Sequence, residues 1–376
     1  VDKSGLISII NDTLGSEMQY SCVSRARRFG KSMAAKMLCA YYDRSCDSHA
    51  LFDDLAIACD PSYEEHLNKY PVIYLDVTDF TTRSIPRVEL TDVMQQEVKK
   101  EICEIFPDVA VDADDDLMAT LGRVVRHTGT QFIMIIDEWD AICREAANTP
   151  EAMDRYVNLL RRLFKGGDSA TVFAGVYMTG ILPIKKYNTQ SALNNFREYS
   201  MVMPRQLAPY FGFTKQEVQA LSAKVGMDFD ELEKWYDGYQ IGSQPSMFNP
   251  NSVMEAIDND YCESYWGLTG AYDAVSTYIK MNYEGLKDDI TDMLAGGRCQ
   301  VRVKGFSNDM HDVKNRDDVL TVLIHLGYLT YDRSTQECYI PNMEVAGEME
   351  SAIRANNWKP VVDRDRKSGS AGMPRP

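Results

Sequence analysis

From residue 1 to about 205, short apolar runs alternate with stretches whose apolar positions repeat at helical spacing. The runs are Tyr20–Val23, Val72–Val77, Phe132–Ile136 and Val172–Met178, with a further candidate at Tyr199–Met203. Phe132–Ile136 shows no polar alternation, which predicts a strand buried on both faces, as in a parallel sheet. Between the runs, Val93, Met94, Val98, Ile102 and Ile105 fall on one face of a helix predicted near Arg87–Ile105, and a second helix is predicted over Pro150–Lys165. Strands and helices that alternate in this way imply an α/β fold with a mainly parallel sheet flanked by helices.

The pattern changes after residue 205. Thr214-Lys215-Gln216-Glu217 is a capping box and predicts a helix start near 214. Phe229–Trp235 predicts another helix, stopped by Asp237-Gly238, and Asn249-Pro250 marks a turn before a third. Asp317–Leu326 places Val319, Leu320, Leu323 and Ile324 at helical spacing. Tyr328–Tyr331, a turn at Asp332–Gln336 and Glu337–Ile340 then read as a hairpin. Helix followed by hairpin is a winged-helix-like pattern, found in modules that bind DNA or pack against protein. Weak basic clusters (Arg298, Arg302 and Lys304; Lys314 and Arg316) make no obvious recognition face, which favours protein packing. The expected organisation is a core over 1–205, a helical lid over 206–275, a winged-helix-like segment over 276–358 and a disordered tail over 359–376.

Candidate chemistry lies at the ends of two runs. Ser24–Ser32 follows the first run and ends in Gly30-Lys31-Ser32, the phosphate-gripping half of a P-loop. In such a loop, backbone N–H groups and a helix N-terminus face the anion, the lysine reaches the β- and γ-phosphates, and the hydroxyl holds Mg²⁺. Arg25 stands where the first glycine of the full pattern belongs, so a turn opening an ordinary helix competes on these residues alone. The third run ends abruptly in Asp137-Glu138. Carboxylates there would sit at the crevice where open α/β sheets bind ligands. Asp137 is placed to join the Mg²⁺ shell and Glu138 to orient a water, against the alternative of a strand end carrying two solvated acids.

Thr179 and Asn195 are candidate γ-phosphate sensors, with a structural turn role as the alternative. Arg161 or Arg162 could act as an arginine finger for a neighbouring subunit, although surface duty is the plainer reading. Asp76, Thr78 and Asp79 end the second strand, where loop capping is favoured over contact with substrate. Asp112–Asp116 lacks the glycine and terminal glutamate of a calcium loop and reads as a solvated turn and helix cap. Trp235, Tyr236, Tyr239, Tyr265 and Trp266 could stack bases, but their mixture with apolar residues favours core packing.

These blocks resemble a known family, the AAA-ATPase-like proteins of bacteria and archaea that often carry a C-terminal PD-(D/E)xK nuclease-like domain. The resemblance rests on Val1-Asp2-Lys3-Ser4, Ser24–Ser32, Ile136-Asp137-Glu138-Trp139-Asp140, Thr179-Gly180-Ile181 with Ser191 and Leu193-Asn194-Asn195. Later blocks are Phe211-Gly212-Phe213-Thr214, Lys234-Trp235-Tyr236-Asp237-Gly238-Tyr239 and Phe248-Asn249-Pro250-Asn251-Ser252. It extends from residue 1 to about 350. An arginine in place of the first loop glycine is usual in the family, whereas Ala26, Trp139 and Arg197-Glu198 depart from its pattern. The resemblance implies a P-loop NTPase fold and favours ATP over GTP. The nuclease-like domain is expected only in a longer chain, since this sequence stops where it would begin.

Composition narrows the classes further. The chain has 376 residues, 44% hydrophobic and 26% charged, which is ordinary globular usage. No apolar run approaches the ~18 residues needed to cross a membrane. Nine scattered cysteines without a CxxC pair, and five dispersed histidines, suggest reduced thiols in a cytoplasm and no zinc cluster. A net charge of −16 disfavours broad non-specific nucleic-acid binding. The expected ligands are ATP and Mg²⁺. Arg27, Arg28, Phe29, Gly30, Lys31, Ser32 and Met33 would form the nucleotide-binding loop, with Ser32 and Asp137 on the metal. Glu138, Lys31 and Thr179 would be the catalytic set of a P-loop ATPase. A non-hydrolysing nucleotide-gated module and a DNA-binding protein remain as alternatives, and partner protein and oligomeric state are open.

Overall fold

A computed structural model of the chain describes residues 1–83, 85–112, 114–144, 150–184, 186–187, 190–191, 193–266, 278, 281, 283–307 and 313–355. The expected tail at 359–376 and the end of the expected lid, 267–275, lie outside the described residues. The chain divides into two compact units. Residues 1–25 and 30–200 make up nearly all of the first, and residues 26–29, 201–306 and those from 313 onward make up the second.

The first unit is built on a five-stranded sheet of β1 (Tyr20–Ser24), β2 (Val72–Asp76), β3 (Phe132–Asp137), β4 (Phe173–Gly180) and β7 (Arg197–Tyr199), in the order β2-β3-β4-β1-β7. All four pairings are parallel. A small antiparallel pair, β5 (Lys186–Tyr187) and β6 (Gln190–Ser191), stands apart from it. Every residue of β1, β3 and β4 is buried, as the unbroken apolar run Phe132–Ile136 predicts for a strand covered on both faces. The last strand lies earlier in the chain than the Tyr199–Met203 run suggested. Pairing to β1 takes Arg197–Tyr199, and the chain then leaves the sheet toward Pro204, which has no N–H for a ladder.

Helices cover the sheet as the spacing predicts. The helix Pro150–Lys165 has the expected bounds and buries Tyr156, Leu159, Leu160, Leu163 and Phe164. The helix Leu90–Ile105 buries Leu90, Met94, Val98 and Ile102. Ile105, expected on that face, is 60% exposed; it is the last residue of the helix, where the covered stripe ends. Asp116 caps the helix Leu117–Thr128 by accepting from the Ala119 N–H at 2.9 Å, which gives the acidic turn its structural role. Asp76 likewise accepts from the Thr78 N–H at 2.9 Å, as the capping reading requires.

The second unit holds two antiparallel sheets. One has the order β8-β10-β9, from β8 (Phe213–Thr214), β9 (Tyr239–Ile241) and β10 (Gln244–Phe248). The other has the order β11-β13-β12, from β11 (Cys299–Gln300), β12 (Thr330–Asp332) and β13 (Glu337–Tyr339). The Thr214 capping box is present in full and opens the helix Lys215–Val225. The helix Arg316–Leu326 precedes the β12–β13 hairpin, close to the expected bounds. The aromatic set is core. Tyr236, Tyr239, Tyr265 and Trp266 are buried, and Tyr239 stacks on Trp266 with ring centroids 6.5 Å apart. Gly238 explains the glycine inside its aromatic block. It has φ 103°, and a Cβ there would stand 1.9 Å from the Pro341 carbonyl oxygen.

Candidate nucleotide site

β1 runs into the loop Ser24–Gly30, and Gly30 opens the helix Lys31–Tyr42 with φ 87° and ψ 14°. That left-handed conformation is one that glycine adopts without steric cost. No side chain caps the first turn of this helix, so its leading amides keep the anion-facing character of a helix N-terminus. Lys31 is buried, Ser32 half-buried, and Met33 is 73% exposed.

Arg25, in place of the first loop glycine, is fully buried. Its Nη1 donates to the carbonyls of Ser24 at 2.9 Å and Tyr199 at 2.7 Å, tying the ends of β1 and β7 together. Burial lowers its pKa to about 10, with Tyr177 opposing, so the guanidinium stays charged at neutral pH. In the second unit, Arg28 has φ 66° and its Nη1 donates to the Tyr265 carbonyl at 2.8 Å. The Phe29 ring meets Tyr239 edge-on at 5.0 Å, and the Phe29 carbonyl accepts from the Gly212 N–H at 3.2 Å. Arg27 bears on Tyr328, whose pKa burial pushes up to about 12 while the cation opposes.

β4 lies between β3 and β1, so β3 and β1 stand two strand spacings apart, roughly 10 Å. The first-unit residues at the C-terminal edge of these strands form one network. Asp137 is buried. Its Oδ1 accepts from the Thr179 hydroxyl and from the Glu138 N–H at 3.1 Å, and Tyr74 Oη stands 3.4 Å from Oδ2. Thr179 returns a carbonyl to the Trp139 N–H at 2.8 Å. Glu138 has φ 50°, a left-handed conformation costing a non-glycine residue on the order of 1–2 kcal/mol. Strain of this kind concentrates at functional sites.

Lys31 Nζ lies 3.8 Å from Glu138 Oε1, and Arg144 Nη2 donates to Glu138 Oε2. Burial raises the Glu138 pKa, and the two cations pull against it. Burial lowers that of Lys31, with Glu138 the leading opposing charge. Arg144 also places its Nε 3.2 Å from Asp140 Oδ2. Asp140 is fully buried and accepts from the N–H groups of Ile181 at 3.1 Å and Leu182 at 2.8 Å. Gly180 is required beside it, because a Cβ there would stand 2.6 Å from Asp140 Oδ1.

A family model described as "Predicted AAA-ATPase" matches residues 1–189, half of the chain. The chain belongs to this AAA-ATPase-like family. Among curated proteins, the "uncharacterized protein in vnfD 5′region" of Azotobacter chroococcum mcd 1 is 26% identical over 161 residues, covering 40% of the AAA-ATPase-like chain and 30% of that relative. The match therefore spans less than a third of the relative's length. Two solved structures are similar at low identity. The Aeropyrum pernix ORC2 protein in ADPNP–ADP complexes has a TM-score of 0.38 and 10% identity, over 94% of this chain and 93% of that one. Cdc6p from Pyrobaculum aerophilum has a TM-score of 0.35 and 11% identity, over the same shares.

Of the expected residues of this AAA-ATPase-like protein, Lys31, Asp137, Glu138 and Thr179 fall within one hydrogen-bonding and charge network. Asn195 does not. It precedes Arg197, which pairs with Ser21 near the start of β1, and its Nδ2 donates to the Phe164 carbonyl at 2.8 Å. It therefore lies toward the opposite end of the sheet from Asp137 and serves a turn. Arg161 and Arg162 are exposed on their helix, and Arg161 Nη1 donates to Asn158 Oδ1 at 3.3 Å. Arg144 and Asp140 are the members that sequence reasoning missed as a pair, although their four-residue spacing carried the signal. Among the described residues, no group of three or more His, Cys, Asp or Glu is arranged to hold a metal, and no helix is long and apolar enough to cross a membrane.

Proposed function

We propose that this AAA-ATPase-like protein binds ATP with Mg²⁺ and hydrolyses it, using turnover to drive or gate a conformational change. The observation that carries the reading is the approach of Lys31 Nζ to Glu138 Oε1 at 3.8 Å, at the strand end where Thr179 donates to Asp137. Gly30 and the first amides of the following helix would cradle phosphate, and Lys31 would neutralise its charge. The residues present suit Mg²⁺, which binds through few protein oxygens and keeps waters and substrate phosphates. Ser32 and Asp137 would hold it, and the ion would supply electrostatic stabilisation of the developing charge. Thr179 fixes the rotamer of Asp137 through its hydroxyl. Glu138 would orient the attacking water through Oε1, while Arg144 holds Oε2 in place. Arg27, Arg28 and Phe29 belong to this reading as the loop residues that precede Gly30 in the chain. The winged-helix-like segment fits packing against protein, given that Arg316 and Arg298 are engaged by Asp289 and Asp332.

The test is nucleotide binding and phosphate release by purified protein, with Glu138→Gln and Lys31→Ala in parallel. Glu138→Gln is expected to keep ATP bound and to lower release by at least ~100-fold. Lys31→Ala is expected to lose binding. Wild-type protein that binds ATP without releasing phosphate above background would replace hydrolysis by a nucleotide-gated switch. Wild-type protein that binds no nucleotide would overturn the whole reading.

A further inference from the structure

Cys299 and Cys338 stand directly opposite each other on the antiparallel strands β11 and β13. Residues in that relation have Cα atoms about 4.5 or 5.5 Å apart, and both separations fall within the range a disulfide spans. Their sulfurs are 3.4 Å apart. Side-chain rotation alone would bring them into bonding distance, with the strand register unchanged.

The two thiols differ in surroundings. Cys338 is fully buried on the central strand of its sheet, whereas Cys299 lies on the edge strand and is 8% exposed. The hydrogen bond between the sulfurs lowers the pKa of Cys299, helped by Arg316 and opposed by burial. The same bond, with burial, raises that of Cys338. Cys299, at the sheet edge, is therefore the thiol an oxidant reaches first, and Cys338 is the thiol held in reserve beside it. Met293 Sδ, 3.9 Å from Cys299 Sγ, completes an apolar wall around the pair.

We propose that Cys299 and Cys338 form a redox-active dithiol that closes to an intramolecular disulfide by exchange with a small-molecule disulfide of the glutathione type. The Cys299 thiolate attacks one sulfur of the oxidant, whose S–S bond breaks and releases one small thiol. Cys338 loses its proton and attacks Cys299 Sγ, breaking the mixed disulfide and releasing the second small thiol. The two protein thiols are oxidised, the small disulfide is reduced to two thiols, and the two protons leave with those thiols. The new bond joins β11 to β13 and closes the segment that carries the helix Arg316–Leu326 and β12.

The experiment incubates the folded full chain with excess glutathione disulfide, quenches with acid, alkylates and digests with trypsin. The expected product is a cross-link between the peptides Cys299–Arg302 and Ser334–Arg354, with a loss of two alkylatable thiols out of nine and full reversal by dithiothreitol. Cys338→Ser is expected to trap a glutathione adduct on Cys299, and Cys299→Ser to leave Cys338 unmodified. Circular dichroism checks that both variants fold. Separate alkylation of both cysteines in the treated wild type, or a cross-link that forms only in denaturant, would overturn the proposal. An adduct on Cys338 in the Cys299→Ser variant would overturn the assigned order of attack.

Discussion

Arg144 and Lys31 divide the carboxylate of Glu138 between them, Arg144 Nη2 donating to Oε2 while Lys31 Nζ faces Oε1 at 3.8 Å. Both partners are largely buried, with Arg144 15% and Glu138 21% exposed. Removing one member of a buried pair leaves the other uncompensated, at a cost of roughly 3–5 kcal/mol when burial is complete. Arg144→Met is expected to lower stability by about 2–3 kcal/mol, given the remaining exposure and the loss of the Asp140 contact. A double-mutant cycle with Glu138→Gln, read by denaturant unfolding, is expected to give a coupling of about 1–3 kcal/mol. Additive effects would show that the two groups do not depend on each other.

Thr179 contributes one hydroxyl donor to a buried carboxylate. Thr179→Val keeps the shape and removes the donor. The expected cost is about 1–3 kcal/mol, because Asp137 loses a partner that water cannot replace. If Asp137 holds Mg²⁺, the same variant is expected to need a higher Mg²⁺ concentration for nucleotide binding, measured by titration at fixed ATP. Unchanged stability and unchanged Mg²⁺ dependence would separate Thr179 from the site.

Arg25 donates to two strand-end carbonyls from a fully buried position. Arg25→Met is expected to destabilise the first unit by about 1–3 kcal/mol through those acceptors. Arg25→Lys is expected to recover little of this, since an ammonium lacks the planar fork. Nucleotide affinity measured well below the melting temperature is expected to change less than stability does. The reverse ranking would make Arg25 a ligand-contacting residue.

Glu344 is buried, and Oε1 accepts from the Tyr265 N–H at 2.9 Å. Burial raises its pKa from 4.5 to about 7, against that hydrogen bond. The native state then holds a proton that the unfolded chain has lost. Stability from this group is therefore present below about pH 4.5 and declines as pH rises toward 7, by up to roughly 3 kcal/mol. Glu344→Gln keeps the acceptor without the charge and is expected to flatten that decline. Unfolding free energies of both proteins at pH 5 and pH 7.5 check it, and parallel profiles would remove the assignment.

The local pattern of residues specified much of this protein. Short, mostly apolar runs predicted β1, β3 and β4, and the unalternating Phe132–Ile136 run marked β3 as buried on both faces. Asp116 and the Thr214 box were legible as caps, because a side-chain oxygen three residues ahead of an orphan N–H is a purely local arrangement. Gly30-Lys31-Ser32 after one strand and Asp137-Glu138 after another were legible as candidate chemistry for the same reason.

Pairing between distant segments decided the rest. Nothing local specifies that β3 pairs with β4 or β7 with β1, yet the first pairing sets Thr179 beside Asp137 and the second leaves Asn195 toward the far end of the sheet. The turn after β3 brings Arg144 back onto Glu138, and antiparallel register alone sets Cys299 opposite Cys338. Short-range periodicity is fixed by the geometry of the backbone and by which faces meet water. Strand order and register are fixed by the burial that the whole chain achieves at once, and these are what group the chemistry-bearing side chains.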